Sequence, residues 1–284
     1  MNYFGRVNKK YLIFWIIFIS IILLAEIGLQ VYFLVNKNSL SLPALNSTTL
    51  IDSPAKIEQK VFGYSAKGSP INGYEIGNGS DVVLLIGAIH GNELGSAYLL
   101  DQLVLEIKAD PRLVSRSKKL IIIPVVNPDG YAVSNKLNGA GVNLNLNFDT
   151  TGWANYGPLG TYAGPNPFSE PESQVIKKVV EQYKPILMIS YHTAGGIVSP
   201  EDGEQSAVLG KWYSGKTGYV YFDDAVAAAE NVDWDFSGTA TMWFVESVAK
   251  PAITVELTDH NRGDWSINKS ALIQLIFSEG VPVD

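Results

Sequence analysis

Four side chains of this sequence could together bind and use a metal ion: His90, Glu93, His192 and Glu256. Two imidazoles and one carboxylate are the ligand set of a catalytic zinc ion, which keeps a fourth coordination position open for water. A further carboxylate is the general base that such a site needs. The chain has only three histidines, and two of them are in this set. These residue types therefore predict a zinc site with hydrolytic chemistry.

Each of these side chains follows an apolar run that predicts a buried strand. The runs cover residues 82–87 before His90 and Glu93, residues 185–190 before His192, and residues 252–255 before Glu256. In open α/β sheets, the groups that carry out chemistry gather just beyond the carboxyl ends of the strands. The repeated placement therefore favours one shared site.

Each residue also has an ordinary structural interpretation. The short pattern H-x-x-E is common by chance and is typical of a helix that begins with an acidic first turn. His192 could be a hydrogen-bonded histidine at a strand end, and Glu256 could be a solvated carboxylate. The metal site is favoured because all of these residues follow predicted strands in the same way.

Apolar periodicity predicts an α/β domain. Strands are predicted at residues 82–87, 119–125, 186–190 and 252–256, and helices at residues 93–108, 170–182, 238–249 and 269–277. Ser169 is predicted to cap the second helix, because proline and acidic residues follow it. Residues 219–222 predict an edge strand. Residues 142–167 predict a long loop, on which Trp153 and Tyr156 are interpreted as surface residues.

The sequence around these residues resembles the carboxypeptidase A-like metallopeptidases, a family of zinc carboxypeptidases. The matching segments are His90-Gly91-Asn92-Glu93, Asn127-Pro128-Asp129-Gly130, Gly141-Val142-Asn143-Leu144-Asn145-Leu146-Asn147-Phe148, Pro167-Phe168-Ser169-Glu170-Pro171-Glu172, Ser190-Tyr191-His192 and Thr254-Val255-Glu256-Leu257. The resemblance implies a single α/β domain whose central sheet is mixed, mostly parallel and flanked by helices.

The resemblance also implies a role for each matching residue. His90, Glu93 and His192 become the ligands of one Zn²⁺ per chain, and these are the ligand types of carboxypeptidase A. Glu256 becomes the general base, and Asn145 becomes a contact to the substrate terminus. The implied reaction is hydrolysis of an amide bond in a peptide by a water molecule that the zinc activates.

Three positions depart from the family pattern. Leu146 stands where the family has an arginine that grips a terminal carboxylate, and leucine cannot offer that bidentate fork. Lys136 stands where the family has an arginine that polarises the scissile carbonyl, so the charge remains and the fork is lost. The family's mobile tyrosine falls near Trp234, which has no hydroxyl. Arg262 is the candidate for the missing cation, or else it is a solvated loop residue.

These departures leave three functional hypotheses open. The first is a carboxypeptidase-like peptidase or amidase whose substrate is a peptide, with cell-wall peptide as the attractive case for an enzyme outside a bacterial-type membrane. The second is a deacylase of a small acylated amino acid. The third is a peptide-binding protein that kept the fold and lost turnover. Leu146 is the residue that supports the second and third hypotheses.

The N-terminus predicts a membrane anchor. Residues 1–10 carry three basic residues, and residues 11–35 form an apolar stretch that exceeds the about 20 residues a spanning helix needs. The positive-inside rule places residues 1–10 in the cytoplasm and the rest of the chain outside it. Glu26 interrupts the stretch at some cost in lipid. The alternative is a cleaved signal peptide, but no A-x-A-like cleavage site follows the stretch.

The rest of the chain divides into two predicted parts. Residues 36–60 are rich in Ser, Thr, Asn and Leu and predict a stalk. Residues 61–284 predict the catalytic domain, which is long enough for one sizeable core. Contact with the lipid bilayer is expected only through the N-terminal helix.

Composition argues against several other classes of function. The chain has 28 acidic and 21 basic residues and a net charge of −7, so we expect no nucleic-acid partner. It has no cysteine, which excludes a cysteine nucleophile and disulfide bonds. It also lacks a G-x-S-x-G motif for a serine nucleophile, and His260 is interpreted as a polar loop residue.

Overall fold

A computed structural model describes residues 54–230 and 237–282. Within these ranges, no helix is long and apolar enough to cross a membrane. The predicted span at residues 11–35, and the predicted stalk as far as residue 53, lie outside the described residues. These two assignments therefore remain predictions.

The described residues form one eight-stranded sheet with the strand order β1-β2-β4-β3-β5-β8-β6-β7. The strands are β1 (Ile57–Tyr64), β2 (Pro70–Ile76), β3 (Asp81–Ile86), β4 (Lys118–Ile123), β5 (Leu187–Thr193), β6 (Ile197–Pro200), β7 (Val220–Tyr221) and β8 (Ala252–Leu257). Neighbouring strands in the central group β4, β3, β5 and β8 are parallel. The pairs β1–β2, β2–β4 and β6–β8 are antiparallel, and β6–β7 is parallel. The prediction of a mixed sheet is confirmed.

Helices lie on both faces of this sheet. They are α1 (Leu94–Ala109), α2 (Pro128–Ala132), α3 (Pro171–Tyr183), α4 (Glu204–Thr217), α5 (Asp224–Ala229), α6 (Ala240–Val248) and α7 (Trp265–Phe277), with short 3₁₀ turns at Pro111–Leu113, Leu144–Leu146 and Pro158–Gly160. Buried residues of α1, α4 and α7 pack on one face, and those of α3 and α6 pack on the other. A strand that helices cover on both faces has a continuous apolar sequence, and this is why β3 and β5 could be predicted.

The predicted elements are present, with small shifts at their ends. The largest differences are at β5, which extends to Thr193, and at α7, which begins at Trp265 rather than at residue 269. His192 and Glu256 therefore lie inside the last residues of β5 and β8, not after them. The reason is that hydrogen bonding between these strands continues as far as the pair Thr193 and Leu257.

Six elements were not predicted: β1, β2, β6, α2, α4 and α5. Helices α2 and α5 are only five and six residues long. Strand β1 is the edge strand and β2 is its neighbour, and polar and exposed residues interrupt the apolar alternation in both. Helix α4 contains Gly210 and Gly215, and glycine disfavours helix formation by about 1 kcal/mol relative to alanine. Strand β1 also begins at Ile57, four residues before the predicted start of the domain at Val61. The predicted edge strand is present as β7.

The predicted cap of α3 is wrong by one residue. Helix α3 begins at Pro171, and the capping position is occupied by Glu170 rather than Ser169. The Ser169 hydroxyl instead donates to Oε1 of Glu170 at 2.9 Å. The backbone N–H of Glu170 donates to Oδ1 of Asn147. A residue distant in sequence therefore satisfies the backbone N–H of the capping residue, while no side chain caps the first turn of the helix.

Candidate active site

Three potential metal ligands converge at the carboxyl ends of β3 and β5. Nδ1 of His90 lies 2.8 Å from Oε1 of Glu93, and Nδ1 of His192 lies 3.0 Å from Oε2 of the same carboxylate. One ligand atom from each of the three residues lies within 4.8 Å of the others, and all three residues are buried. The structure thus brings together the residues that the sequence predicts as ligands.

The convergence follows from the strand order. Strands β3 and β5 are parallel neighbours, so the loop that holds His90 and the end of β5 that holds His192 meet at one edge. Glu93 directly precedes α1. Gly91 allows this loop to pass close to α2, because a Cβ atom there would lie 2.2 Å from the carbonyl carbon of Gly130.

The second nitrogen of each imidazole has a partner of its own. Nε2 of His90 lies 3.0 Å from Oδ1 of Asn143, and Nε2 of His192 lies 3.0 Å from Oγ of Ser190. An amide oxygen only accepts, so Nε2 of His90 must donate to Asn143, which leaves Nδ1 as the nitrogen that can bind a metal beside Glu93. Partners of this kind orient the imidazoles of metal sites. Neither Asn143 nor Ser190 was predicted as a site residue, although both lie inside the family-like segments.

The charges of the three ligand residues are mutually adjusted. Burial alone would raise the pKa of Glu93, but the neighbouring His192 and His90 lower that pKa to about 2. Burial alone would lower the pKa of His192, but the Glu93 carboxylate outweighs burial and raises that pKa. Burial dominates at His90 and lowers its pKa. The site therefore favours an ionised carboxylate facing the two imidazoles.

These residues fit a zinc ion. Oε2 of Glu93 is buried and has no partner with hydrogen-bond geometry among the described residues, despite its approach to His192. A buried acceptor without a partner costs about 1–3 kcal/mol, and a bound cation would remove that cost. Two nitrogens and one carboxylate oxygen are also the ligand types of a catalytic zinc ion.

Glu256 lies next to the potential ligands on the adjacent strand. It is the register partner of His192 in the parallel pair β5–β8, and it is partly buried. Burial and the nearby Glu93 raise the pKa of Glu256 to about 7, against the opposing influence of His192 and Lys136. The carboxyl group of Glu256 therefore holds a proton more readily than an ordinary glutamate does.

A cavity of about 1190 Å³ opens over these residues. It brings together most of the residues predicted from the sequence as ligands, catalytic groups or substrate contacts. These lining residues are His90, Glu93, Lys136, Asn145, Leu146, His192 and Glu256. Trp234, the residue near the family's mobile tyrosine, lies outside the described residues.

Lys136 is held at the cavity by its backbone. Its carbonyl oxygen accepts hydrogen bonds from the N–H of Gly91 and from Nδ2 of Asn127, each at 3.4 Å. Its side chain is exposed and lines the cavity. The ammonium group therefore faces the same space as the potential metal ligands, and it influences the pKa values of His192 and Glu256.

Asn145 and Leu146 lie side by side with different surroundings. Oδ1 of Asn145 accepts a hydrogen bond from the N–H of Ala240, the first residue of α6, at 3.2 Å. Leu146 is only 5% exposed, and its carbonyl oxygen accepts a 2.8 Å hydrogen bond from Nε1 of Trp153. Trp153 is therefore an anchor of the long loop rather than a solvated residue, whereas Tyr156 is 64% exposed, as predicted.

Arg262 is the predicted site residue that the structure does not bring to the cavity. It is exposed and is not among the lining residues. The loop after β8 turns back onto α1, where the carbonyl oxygen of His260 accepts a 2.6 Å hydrogen bond from the N–H of Gly95. Arg262 is thus directed to another surface. His260 lies in the same exposed loop, as predicted, and its Nδ1 lies 2.6 Å from Oγ1 of Thr193.

Comparison with known proteins agrees with this geometry. The sequence matches the zinc carboxypeptidase family over residues 47–275. The chain belongs to the zinc carboxypeptidase family. The resemblance inferred from the motifs is therefore confirmed, and zinc, the predicted cofactor, is the metal that gives this family its name.

The relatives of this chain include a protein named as a carboxypeptidase and a protein named as an amidase. The alignment with zinc carboxypeptidase A 1 of Anopheles gambiae is 27% identical over 232 residues, and it covers 65% of this chain and 53% of the relative. The alignment with murein peptide amidase A of Escherichia coli (strain K12) is 26% identical over 164 residues, and it covers 53% of this chain and 64% of the relative. The chain thus spans less than two thirds of either relative.

A solved structure supports the fold assignment. The crystal structure of murein-tripeptide amidase MpaA from Escherichia coli O157 superposes with a TM-score of 0.59 at 19% identity. The superposition covers 79% of this chain and 93% of that protein. The fold class predicted from the sequence, an α/β domain of the zinc carboxypeptidase type, is therefore confirmed.

Proposed function

We propose that the protein is a zinc-dependent hydrolase that cleaves an amide bond in a peptide, on the outer side of a membrane to which its N-terminus is anchored. The observation that carries the proposal is the convergence of His90, Glu93 and His192 beside Glu256 and Lys136 in one cavity. A ligand set, a base and a cation in one place are the parts that amide hydrolysis requires.

Zinc bound by His90, Glu93 and His192 would polarise the scissile carbonyl and lower the pKa of water. Glu256 would take the proton from the attacking water and later deliver it to the leaving amine. Its raised pKa, about 7, suits a group that must both accept and donate a proton. Pairing with His192 across β5 and β8 fixes its backbone relative to the ligands.

Lys136 would stabilise the negative charge that develops on the carbonyl oxygen. Its backbone is tied to Gly91, in the loop between His90 and Glu93, so the start of its side chain has a fixed place relative to the ligands. A cation that faces the cavity in this way would be within reach of the developing charge. Lysine offers a point charge rather than the planar fork of arginine, so it would bind the oxyanion with less directional preference.

Asn145 and Leu146 would shape the substrate preference. Asn145 uses Oδ1 to accept from Ala240, which leaves its Nδ2 as a donor toward the cavity that the residue lines. Leu146 supplies no charge, and Arg262 lies away from the cavity. The site therefore lacks an arginine fork for a terminal carboxylate in the described part of the chain. Cleavage would not require a free C-terminus next to the scissile bond.

Cell-wall peptide is the substrate that we propose. A protein outside a bacterial-type membrane would meet this material, and residues 1–35 have the charge and hydropathy pattern of a membrane anchor. The similarity to murein peptide amidase A supports the same substrate class.

The decisive experiment combines metal analysis with a substrate panel on the full-length protein in detergent. Peptides with free or blocked ends, cell-wall peptides and small acylated amino acids would be compared. We expect about one zinc per chain and cleavage of internal peptide amides. Activity only on the acylated amino acids would favour the deacylase, and zinc with peptide binding but no turnover would favour the binding protein.

A further inference from the structure

We propose that Asn138 is a positioning residue for the reaction. By joining the 135–142 loop to the start of α3, it fixes the direction in which Lys136 reaches into the cavity. The inference rests on the proposed function, because Lys136 receives its role there. Asn138 itself is not among the residues that line the cavity, so it would act through Lys136 and not on the substrate.

The 135–142 loop is held only in part by the contacts next to Lys136. Before this residue, the N–H of Asn135 donates to the carbonyl oxygen of Gly130, in α2, at 2.9 Å. The carbonyl oxygen of Lys136 accepts from Gly91 and Asn127 at 3.4 Å, which is long for a hydrogen bond. A second support after Lys136 is therefore needed to fix the direction of its side chain.

The side-chain amide of Asn138 supplies this support. Its Nδ2 donates to Oε2 of Glu170 at 2.7 Å and to Oε2 of Glu172 at 3.2 Å. Its Oδ1 accepts from the N–H groups of Ala140 and Val142, at 3.0 and 2.9 Å. An amide side chain has two donor hydrogens and two acceptor lone pairs, so this one is fully used. One side chain thus shapes the loop and ties it to α3.

These contacts are shielded from water. Asn138 and Glu170 are each 6% exposed, and Glu172 is fully buried. Oε1 of Glu172 also accepts from the N–H of Ala66, in the turn between β1 and β2, at 3.0 Å. A buried polar group that loses its partner cannot turn to solvent instead, so the native arrangement is strongly favoured. The support is therefore stiff, unlike an exposed loop contact.

The 135–142 loop also rests against a fixed surface. A Cβ atom at Gly139 would lie only 2.4 Å from Oδ2 of Asp129. Asp129 is held by the hydroxyls of Ser65 and Ser69, which donate to its Oδ1 at 2.8 and 2.7 Å. The loop has no free space on this side. A loop released from its amide support would therefore move away from this surface and take the lysine with it.

The support needs an amide in particular. Burial raises the pKa of Glu172, and the nearby Glu170 acts in the same direction, although the hydrogen bonds from Ala66 and Asn138 oppose them. Two carboxyl groups that meet at one side chain both require a donor from it. Aspartate has nearly the same shape as asparagine, but it lacks both donor hydrogens and would bring a third acid group. Asn138→Asp therefore removes the support with little change in volume.

The test is a double-mutant cycle on the full-length protein, with Asn138→Asp, Lys136→Met and the two combined. Cleavage is measured on the peptide panel. Binding is measured by calorimetry on phosphinic analogues, in which a tetrahedral phosphinate replaces the scissile amide, so this readout needs no turnover. Lys136→Met should lower kcat about 100-fold. Asn138→Asp should lower it about 10-fold, and the combined variant should be no slower than Lys136→Met.

The same pattern is expected for the affinity of the phosphinic peptides. KM should change little, because Lys136 acts on charge that develops in the transition state. If Asn138→Asp does not fold, Asn138→Ser, which keeps one donor and adds no charge, takes its place in the cycle.

Two further variants separate positioning from general damage. Asn138→Asp combined with Glu172→Gln returns an amide to the cluster from the opposite side, and it should recover most of the lost kcat. Asn268→Asp makes the same chemical change at a fully buried asparagine of α7, which packs on the other face of the sheet. It should lower the melting temperature and leave kcat unchanged at temperatures where the protein stays folded. Zinc content is measured for every variant.

Normal kcat and normal phosphinic affinity in Asn138→Asp would overturn the inference. An equal loss from Asn138→Asp with and without Lys136 would also overturn it, because the effect would then be general. Phosphinic binding that shows the expected cycle, without cleavage of any peptide, would leave the inference standing and refute the proposed catalysis. Cleavage with independent effects of the two residues would do the opposite. Neither cleavage nor phosphinic binding by the unaltered protein would overturn both.

Discussion

His192 and Glu256 occupy paired positions on two parallel strands, β5 and β8, in the middle of the sheet. One strand pair thus sets the position of a potential metal ligand relative to the potential base. Both strands are buried and covered by helices, so this relationship is part of the core rather than of a loop. A site supported in this way keeps its geometry before any substrate binds.

Replacing His192 by alanine should remove the metal, because two ligands hold zinc much more weakly than three. Metal analysis of the purified protein should give about one zinc per chain for the unaltered protein and far less for the variant. His260→Ala is the matched control, since His260 lies outside the cavity lining and should leave the zinc content unchanged. Full zinc occupancy in His192→Ala would refute the ligand assignment.

Glu256→Gln should keep the zinc and lose turnover, since an amide cannot accept a proton from water. The loss of a general base typically costs roughly 10²- to 10⁴-fold in rate, so kcat on a cleavable peptide should fall by that amount. Glu181→Gln makes the same chemical change on the exposed surface of α3 and is the matched control. Near-normal kcat in Glu256→Gln would show that Glu256 is only a partly buried carboxylate beside the site.

Glu201 should make the stability of the protein depend on pH in an unusual direction. Its pKa is raised from an ordinary value near 4.5 to about 7 in the folded protein, so the folded state binds more protons in that interval. Stability contributed by Glu201 is therefore lost as the pH rises from about 4.5 to 7. Glu201→Gln mimics the protonated form and should raise the melting temperature more at pH 8 than at pH 4.5. An equal effect at both pH values would contradict the raised pKa.

Blocking the C-terminus of a substrate as an amide should change kcat/KM by no more than about twofold. The reason is that Leu146 carries no charge and Arg262 does not line the cavity, so neither can bind a terminal carboxylate there. Kinetics on matched free and amidated peptides would measure this. Arg262→Ala should have no effect on either substrate. A strong preference for free C-termini that depends on Lys136 would instead assign carboxylate binding to that lysine.

The full-length protein should remain with membranes after washing with carbonate or high salt, because a spanning helix does not depend on surface charge. Fractionation followed by detection of the protein in each fraction tests the predicted anchor at residues 11–35. Mature protein that begins after residue 25 and is released into the medium would show that the segment is a cleaved signal peptide.

The sequence was sufficient for the parts of the site that depend on local patterns. His90 and Glu93 lie in one short motif, and His192 and Glu256 each belong to an apolar run, so their convergence follows from a parallel sheet. Asn143 and Ser190 lie in the same motifs, but their hydrogen bonds to the imidazoles are tertiary contacts.

Other features could not be predicted because they depend on how separate segments meet. Glu201 and Thr241 lie on different elements and form no motif, and only the packing of α6 on the sheet joins them. Arg262 shows the opposite case, since closeness to Glu256 in sequence does not specify the direction of the loop. That loop is drawn toward α1 by the hydrogen bond between Gly95 and His260.

The alternation of side chains along β8 has a consequence for the choice of substrate. Glu256 and Thr254 project from the same face, and Thr254 lies beside the Thr241 hydroxyl that holds Glu201. The covalent geometry of one strand therefore fixes the interval between the base and the part of the cavity wall that holds Glu201. A substrate group that reaches this wall must span that interval, about 13 Å for four residues of extended chain, so the cavity should discriminate between substrates by their length.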